Sequence, residues 1–146
     1  MDEVAFRATR SLLSGPSCVF EKALLARCAN CGLAVRHALA EREAIGCRSP
    51  VARTNCATLF GMLHERSAFA LRIGPDGALP HALTMRLQCA GAAGLAQVVG
   101  AKDRHDVHAL VTAAQERYGS LSDMPWPGIV AAAAAWQGRR RYDSRQ

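Results

Sequence analysis

Five of the six cysteines, Cys18, Cys28, Cys31, Cys47 and Cys56, fall within thirty-nine residues, and Cys89 stands apart. A fold must either bury these thiols singly or gather them, so they limit how the first half of the chain can be arranged. In an exported protein an even count suggests a disulfide framework. Here 146 residues suffice for a core without bridges. Met1-Asp2-Glu3-Val4 carries acid where a secretory signal carries base. The expectation is therefore a cytoplasmic protein, whose compartment keeps thiols reduced and makes disulfides the weaker reading. Reduced thiolates are soft donors, and four of them complete the ligand set of a zinc ion or an iron–sulfur cluster.

The spacing runs Cys18-x9-Cys28-x2-Cys31-x15-Cys47-x8-Cys56, with one C-x-x-C and no second one. A zinc ribbon or finger needs a second C-x-x-C or a short-range histidine pair, so the irregular spacing points to a [4Fe-4S] cluster, with zinc as the alternative. Burial as small apolar side chains is the competing reading of every cysteine. A thioredoxin-like role for Cys28-Ala29-Asn30-Cys31 is set aside, because no βαβ pattern surrounds it.

Alanine is abundant and aromatic residues make only 5% of the chain, which favours helix over strand. The expected architecture is mainly α, a single compact helical domain over residues 1–146 with five or six helices, leaving room for one short β-hairpin around residues 69–89. Ser14-Gly15-Pro16 ends a first helix, Ser17 or Cys18 opens a second that runs to Asn30-Cys31-Gly32, and a third covers Leu33 to Ile45. Ser49-Pro50 is an N-cap followed by proline, opening a long fourth helix with Cys56, Leu59, Phe60 and Leu63. Gly74-Pro75-Asp76-Gly77 reads as a turn, Asp103 opens a helix to Tyr118, and Pro125-Trp126-Pro127 opens the last. The longest apolar stretch, Gly128 to Trp136, is too short to span a membrane.

Helix rise limits which cysteines can meet. Residues 18 to 28 in one straight helix would separate their ends by roughly 15 Å, and a helix from Cys31 to Cys47 would do the same. Two straight antiparallel helices place Cys18, Cys47 and Cys56 at one end, with Cys28 and Cys31 at the other and Cys89 able to complete the first group. A shortened or bent second element lets Cys31 join instead. Cys18, Cys31, Cys47 and Cys56 are the expected ligands. Cys31 is preferred for its place in a Gly-flanked turn, and Cys28 and Cys89 stay open as its rivals.

Four protein thiolates leave no open coordination position, which points to electron transfer or redox sensing rather than catalysis. Arg27, Arg48 and Arg53 stand beside the cysteines and could offset thiolate charge, or simply be solvated. A net charge of +6, with Arg139-Arg140-Arg141 near the end, suits a redox or acidic protein partner. It also permits nucleic acid, so a nucleic-acid- or protein-interaction module with structural zinc or free core cysteines is the alternative. His105 and His108 share a helical face, but with no cysteine or carboxylate partner legible nearby they are assigned no role. Phosphate-binding glycine loops, a G-x-S-x-G elbow and a Glu-x-x-His pair do not occur.

Overall fold

The chain is described by a computed structural model over residues 2–74, 79–100, 103 and 105–138. The helices are α1 (Glu3–Ser14), α2 (Glu21–Leu25), α3 (Pro50–Ser67), α4 (His81–Val99), α5 (Val107–Tyr118) and α6 (Trp126–Ala135). One antiparallel hairpin, β1 (Ala34–Leu39) with β2 (Arg42–Cys47), lies between α2 and α3, and a single 3-10 turn, Leu121–Asp123, precedes α6. The mainly α architecture with one short hairpin is as expected. The hairpin's position is not: it replaces the third helix expected over Leu33 to Ile45, while residues 81–89 of the anticipated hairpin region are helical as the start of α4.

Residues 33–45 are rich in Ala, Leu, Arg and Glu, all strong helix formers, and tertiary bonding overrides that preference. Both backbone groups of Ile45 are claimed from outside the segment. Its N–H donates to Glu21 Oε2 at 2.8 Å. Its carbonyl accepts from Cys18 N–H at 2.8 Å and Arg10 Nη2 at 3.0 Å. Arg10 in turn grips both oxygens of Glu21. Leu39 and Ala44 then bury against Phe6 of α1, a small second core that a helix could not present. The two-residue loop Ala40-Glu41 puts Ala40 at φ 57°, where an L side chain costs about 1 kcal/mol. Ala40→Gly is expected to raise stability by about 0.5–1 kcal/mol, read as a higher urea midpoint with an unchanged slope; a lower midpoint would contradict this turn.

The main core is helical. Phe20, Leu24, Leu63, Leu95, Leu110 and Ile129 are fully enclosed. Gly91 and Gly94 of α4 are contact points and not loop positions: a Cβ on Gly91 would lie 2.7 Å from Leu63 Cδ1, and one on Gly94 3.1 Å from the Ile129 carbonyl oxygen. Small residues here let α3 and α6 approach α4 closely. Ser49 caps α3 as read, accepting Ala52 N–H at 3.1 Å. The cap of α5 is Asp106 instead of Asp103, accepting Ala109 N–H at 3.0 Å. Pro75-Asp76-Gly77 of the expected turn, and the Arg139-Arg140-Arg141 run, lie outside the described residues. No described helix is long and apolar enough to cross a membrane.

Candidate metal centre

Two departures from straight-helix geometry decide which cysteines meet. The second helix is cut to Glu21–Leu25, after which Arg27 turns back at φ 62°. The segment from Cys31 to Cys47 doubles back as the hairpin, so its ends adjoin: Ala34 is paired with Cys47, and Arg48 N–H donates to the Leu33 carbonyl at 2.9 Å. A bridge between Ser17 and Gly46 brings Cys18 alongside β2. Cys56 lies in the second turn of α3, which begins three residues beyond Cys47.

Cys18, Cys31, Cys47 and Cys56 therefore line one cavity, about 20 Å³ in volume. Phe20, Leu24, Leu33 and Val107 help close it, and among the described residues Arg53 and His108 are its charged or titratable members besides the cysteines. The remaining two cysteines are elsewhere and joined to each other. Cys28 and Cys89 form a disulfide across 61 residues with Cα atoms 5.5 Å apart, which corrects the expectation of six free thiols. The pairing also removes both rivals to Cys31. The sequence shows no framework spacing that would have predicted it, since Cys89 sits mid-helix among apolar neighbours.

Several backbone groups point at the sulfurs. The N–H of Phe20 faces Cys18, and those of Leu33 and His108 face Cys31. His108 is the second residue of α5, where backbone donors have no carbonyl partner inside the helix. The start of α5 is fastened to the Cys31 loop. Val107 N–H donates to Asn30 O at 2.9 Å, Asn30 N–H donates to His105 O at 2.6 Å, and Asp106 Oδ2 accepts Gly32 N–H at 2.9 Å. Asp106 thus caps the helix with one oxygen and holds the loop with the other. Arg53 reaches the cavity from α3 with its Nε fixed to Ser17 O at 2.9 Å. Cys47 Sγ donates to the Ser49 carbonyl at 3.3 Å.

Cys18, Cys31 and Cys56 titrate high. Burial, with a smaller push from neighbouring cysteines, raises Cys18 to about 11 and Cys56 to about 12, and burial likewise raises Cys31. Such groups are neutral at physiological pH and poor nucleophiles, which argues against a thiolate attacking a substrate. A cation changes the balance, because it replaces the protons and offsets mutual repulsion among the thiolates. In the placement described, no three His, Cys, Asp or Glu residues among the described ones form a group able to hold a metal ion; the sulfurs surround the cavity without converging on a point.

A pH dependence follows for the metal-free chain. The folded state keeps protons on Cys18 and Cys56 that the unfolded chain, with cysteines near 9.0, gives up earlier. Their contribution is complete below about pH 9 and is lost as pH rises through 11 and beyond, a fall of roughly 2–4 kcal/mol. Urea unfolding at pH 7.5 and 10.5 measures it, and a Cys18→Ala, Cys56→Ala chain should show a clearly flatter dependence. Equal slopes for the two chains would refute this assignment.

Sequence reading brought forward all four cysteines and Arg53, while Arg27 and Arg48 do not line the cavity. It missed His108, whose role is visible only once Asp106 is known to cap α5 and to bind Gly32. The chain matches no protein family, no curated protein and no solved structure.

Proposed function

We propose that the protein binds one [4Fe-4S] cluster through Cys18, Cys31, Cys47 and Cys56 and acts in electron transfer or redox sensing. The observation that carries this reading is the gathering of all four free cysteines on one cavity, from β2, α3 and two connecting segments. The donor set suits the group. Thiolates bind iron, the N–H groups of Phe20, Leu33 and His108 favour negative charge on sulfur, and Arg53 adds positive charge beside it. Such a cluster supplies one-electron chemistry. With four thiolate ligands the chain leaves it no vacant position for a substrate, while Phe20, Leu24 and Val107 limit the access of water. A cytoplasmic setting belongs to the proposal, since a reducing compartment keeps the four ligands available; the same compartment disfavours the Cys28–Cys89 bridge, which lies outside the cavity.

Zinc is the second reading, favoured by the cavity's size: about 20 Å³ is the room of one small ion or one water. Seating a four-iron core requires the cysteine rotamers and the rim to open. Anaerobic purification with iron, sulfide and zinc analysis separates the two. The proposal expects a broad visible band, with about four irons and four sulfides per chain. One zinc per chain makes the site structural, and no metal after reconstitution returns the thiols to core packing.

A further inference from the structure

A second hollow, about 560 Å³ in volume, is formed where α1, α2, β2 and the start of α4 meet, and it shares no lining residue with the cysteine cavity. Its size is that of a small-molecule site. Three carboxylates line it, and an arginine already holds each of them. Glu21 gives both oxygens to Arg10 and also accepts Ile45 N–H. Glu3 pairs with Arg42 at 2.7 Å and with Arg7 at 3.2 Å, and Glu43 pairs with Arg36 at 2.9 Å. The lining arginines, Arg7, Arg10 and Arg42, are thereby spent as well. Lys22 differs from them. Its Nζ donates to His81 Nδ1 at 2.8 Å, and it has no carboxylate partner among the described residues. An ammonium group only donates, so His81 accepts here and carries its own proton on Nε2. No Asp or Glu occurs in α4 to offset the charge. The Lys22–His81 pair thus presents N–H donors and one positive charge that no carboxylate of the hollow balances.

Apolar side chains stand one helical turn from each of these two groups. Leu25 follows Lys22 at i+3 and is 41% exposed, Ala26 follows at i+4, and Met85 follows His81 at i+4 along α4. All three line the hollow. A polar end and an apolar end are therefore set side by side, joined through the Lys22–His81 hydrogen bond. We infer that this hollow binds a small organic anion, an oxyanion head on an apolar stem, with the head on Lys22 and His81 and the stem along Leu25, Ala26 and Met85. Both halves are needed. Lys22 is only half-buried and His81 is exposed, so water screens their pull on a bare anion, and burial of the stem supplies the rest of the affinity. An amine on the same stem meets carboxylates that arginines already occupy and an ammonium that repels it.

The test is titration calorimetry of the full chain at low salt with octanoate, octyl phosphate, octylammonium and inorganic phosphate. The expected result is one saturable site for the two octyl anions, the tighter of them naming the head group, and no saturable binding of octylammonium or inorganic phosphate. Lys22→Gln should weaken the octyl anions about tenfold, and Lys22→Arg, which keeps the charge, should weaken them much less. Leu25→Ser should weaken them about fivefold through the stem. Each variant should keep the urea midpoint of the parent, since these side chains stand at the surface of the hollow. Absence of saturable binding of either octyl anion to the parent overturns the inference. Octylammonium binding as tightly as octanoate overturns it too, because adsorption would then be apolar and blind to charge. Inorganic phosphate matching octyl phosphate would remove the stem from the site, and affinities unchanged in both Lys22→Gln and Leu25→Ser would place the ligand elsewhere; either result refutes the assignment.

Discussion

Serine at Cys18, Cys31, Cys47 or Cys56 is expected to cut the iron retained after anaerobic reconstitution at least tenfold, whereas serine at Cys28 or Cys89 leaves it unchanged. The asymmetry follows from placement. The first four thiols share a cavity, while the other two are bound to each other outside it. Losing one ligand removes a soft donor and leaves a hard hydroxyl in a largely apolar pocket, a poor substitute for thiolate. Cys28→Ser and Cys89→Ser should instead cost stability, about 2–5 kcal/mol under oxidising conditions, because the bridge closes a long loop. Iron analysis and urea unfolding on the six single variants read both effects. Iron loss in Cys89→Ser equal to that in Cys56→Ser would show that the cysteines are grouped differently.

Gln88→Leu is expected to destabilise the chain by about 2–5 kcal/mol although it adds apolar surface to a helix core. Gln88 is 3% exposed. Its Oε1 accepts Ala23 N–H at 3.0 Å and its Nε2 donates to Val19 O at 2.8 Å, so the amide ties α4 to both sides of Phe20. A leucine leaves two backbone groups in the interior without partners, each costing about 1–3 kcal/mol. The site should suffer with the fold, since the N–H of Phe20 faces Cys18. Urea unfolding gives the energy, and iron retention gives the effect on the centre. A Gln88→Leu chain as stable as the parent would mean that these two bonds contribute nothing net.

What the sequence made legible is tied to local chemistry. Ser49-Pro50 opens a helix wherever it occurs in such a context, and Gly15 or Gly119 closes one, so the ends of α1, α3 and α5 could be read from neighbouring residues. The stretch from Ala34 to Cys47 could not. Its composition is helical, and it becomes a hairpin through the distant side chains of Arg10 and Glu21 and through Cys18 N–H, all meeting at Ile45. The same error had obscured the site. A helix between Cys31 and Cys47 separates them by its length, whereas a hairpin returns the chain to its start. The clustering of cysteines in sequence pointed to the four that line one cavity. Their joint approach depends on a short α2 and on Asp106, a cap whose second oxygen holds a loop seventy-four residues away.

The central claim is that one iron–sulfur group occupies the space between these four sulfurs. A crystal structure of anaerobically purified protein, with anomalous difference maps at the iron and zinc edges, tests this most directly. The account predicts an iron peak within the cavity bounded by Cys18, Cys31, Cys47 and Cys56, with continuous density to all four Sγ atoms. A zinc peak there, iron bound elsewhere, or four thiols without metal would contradict it.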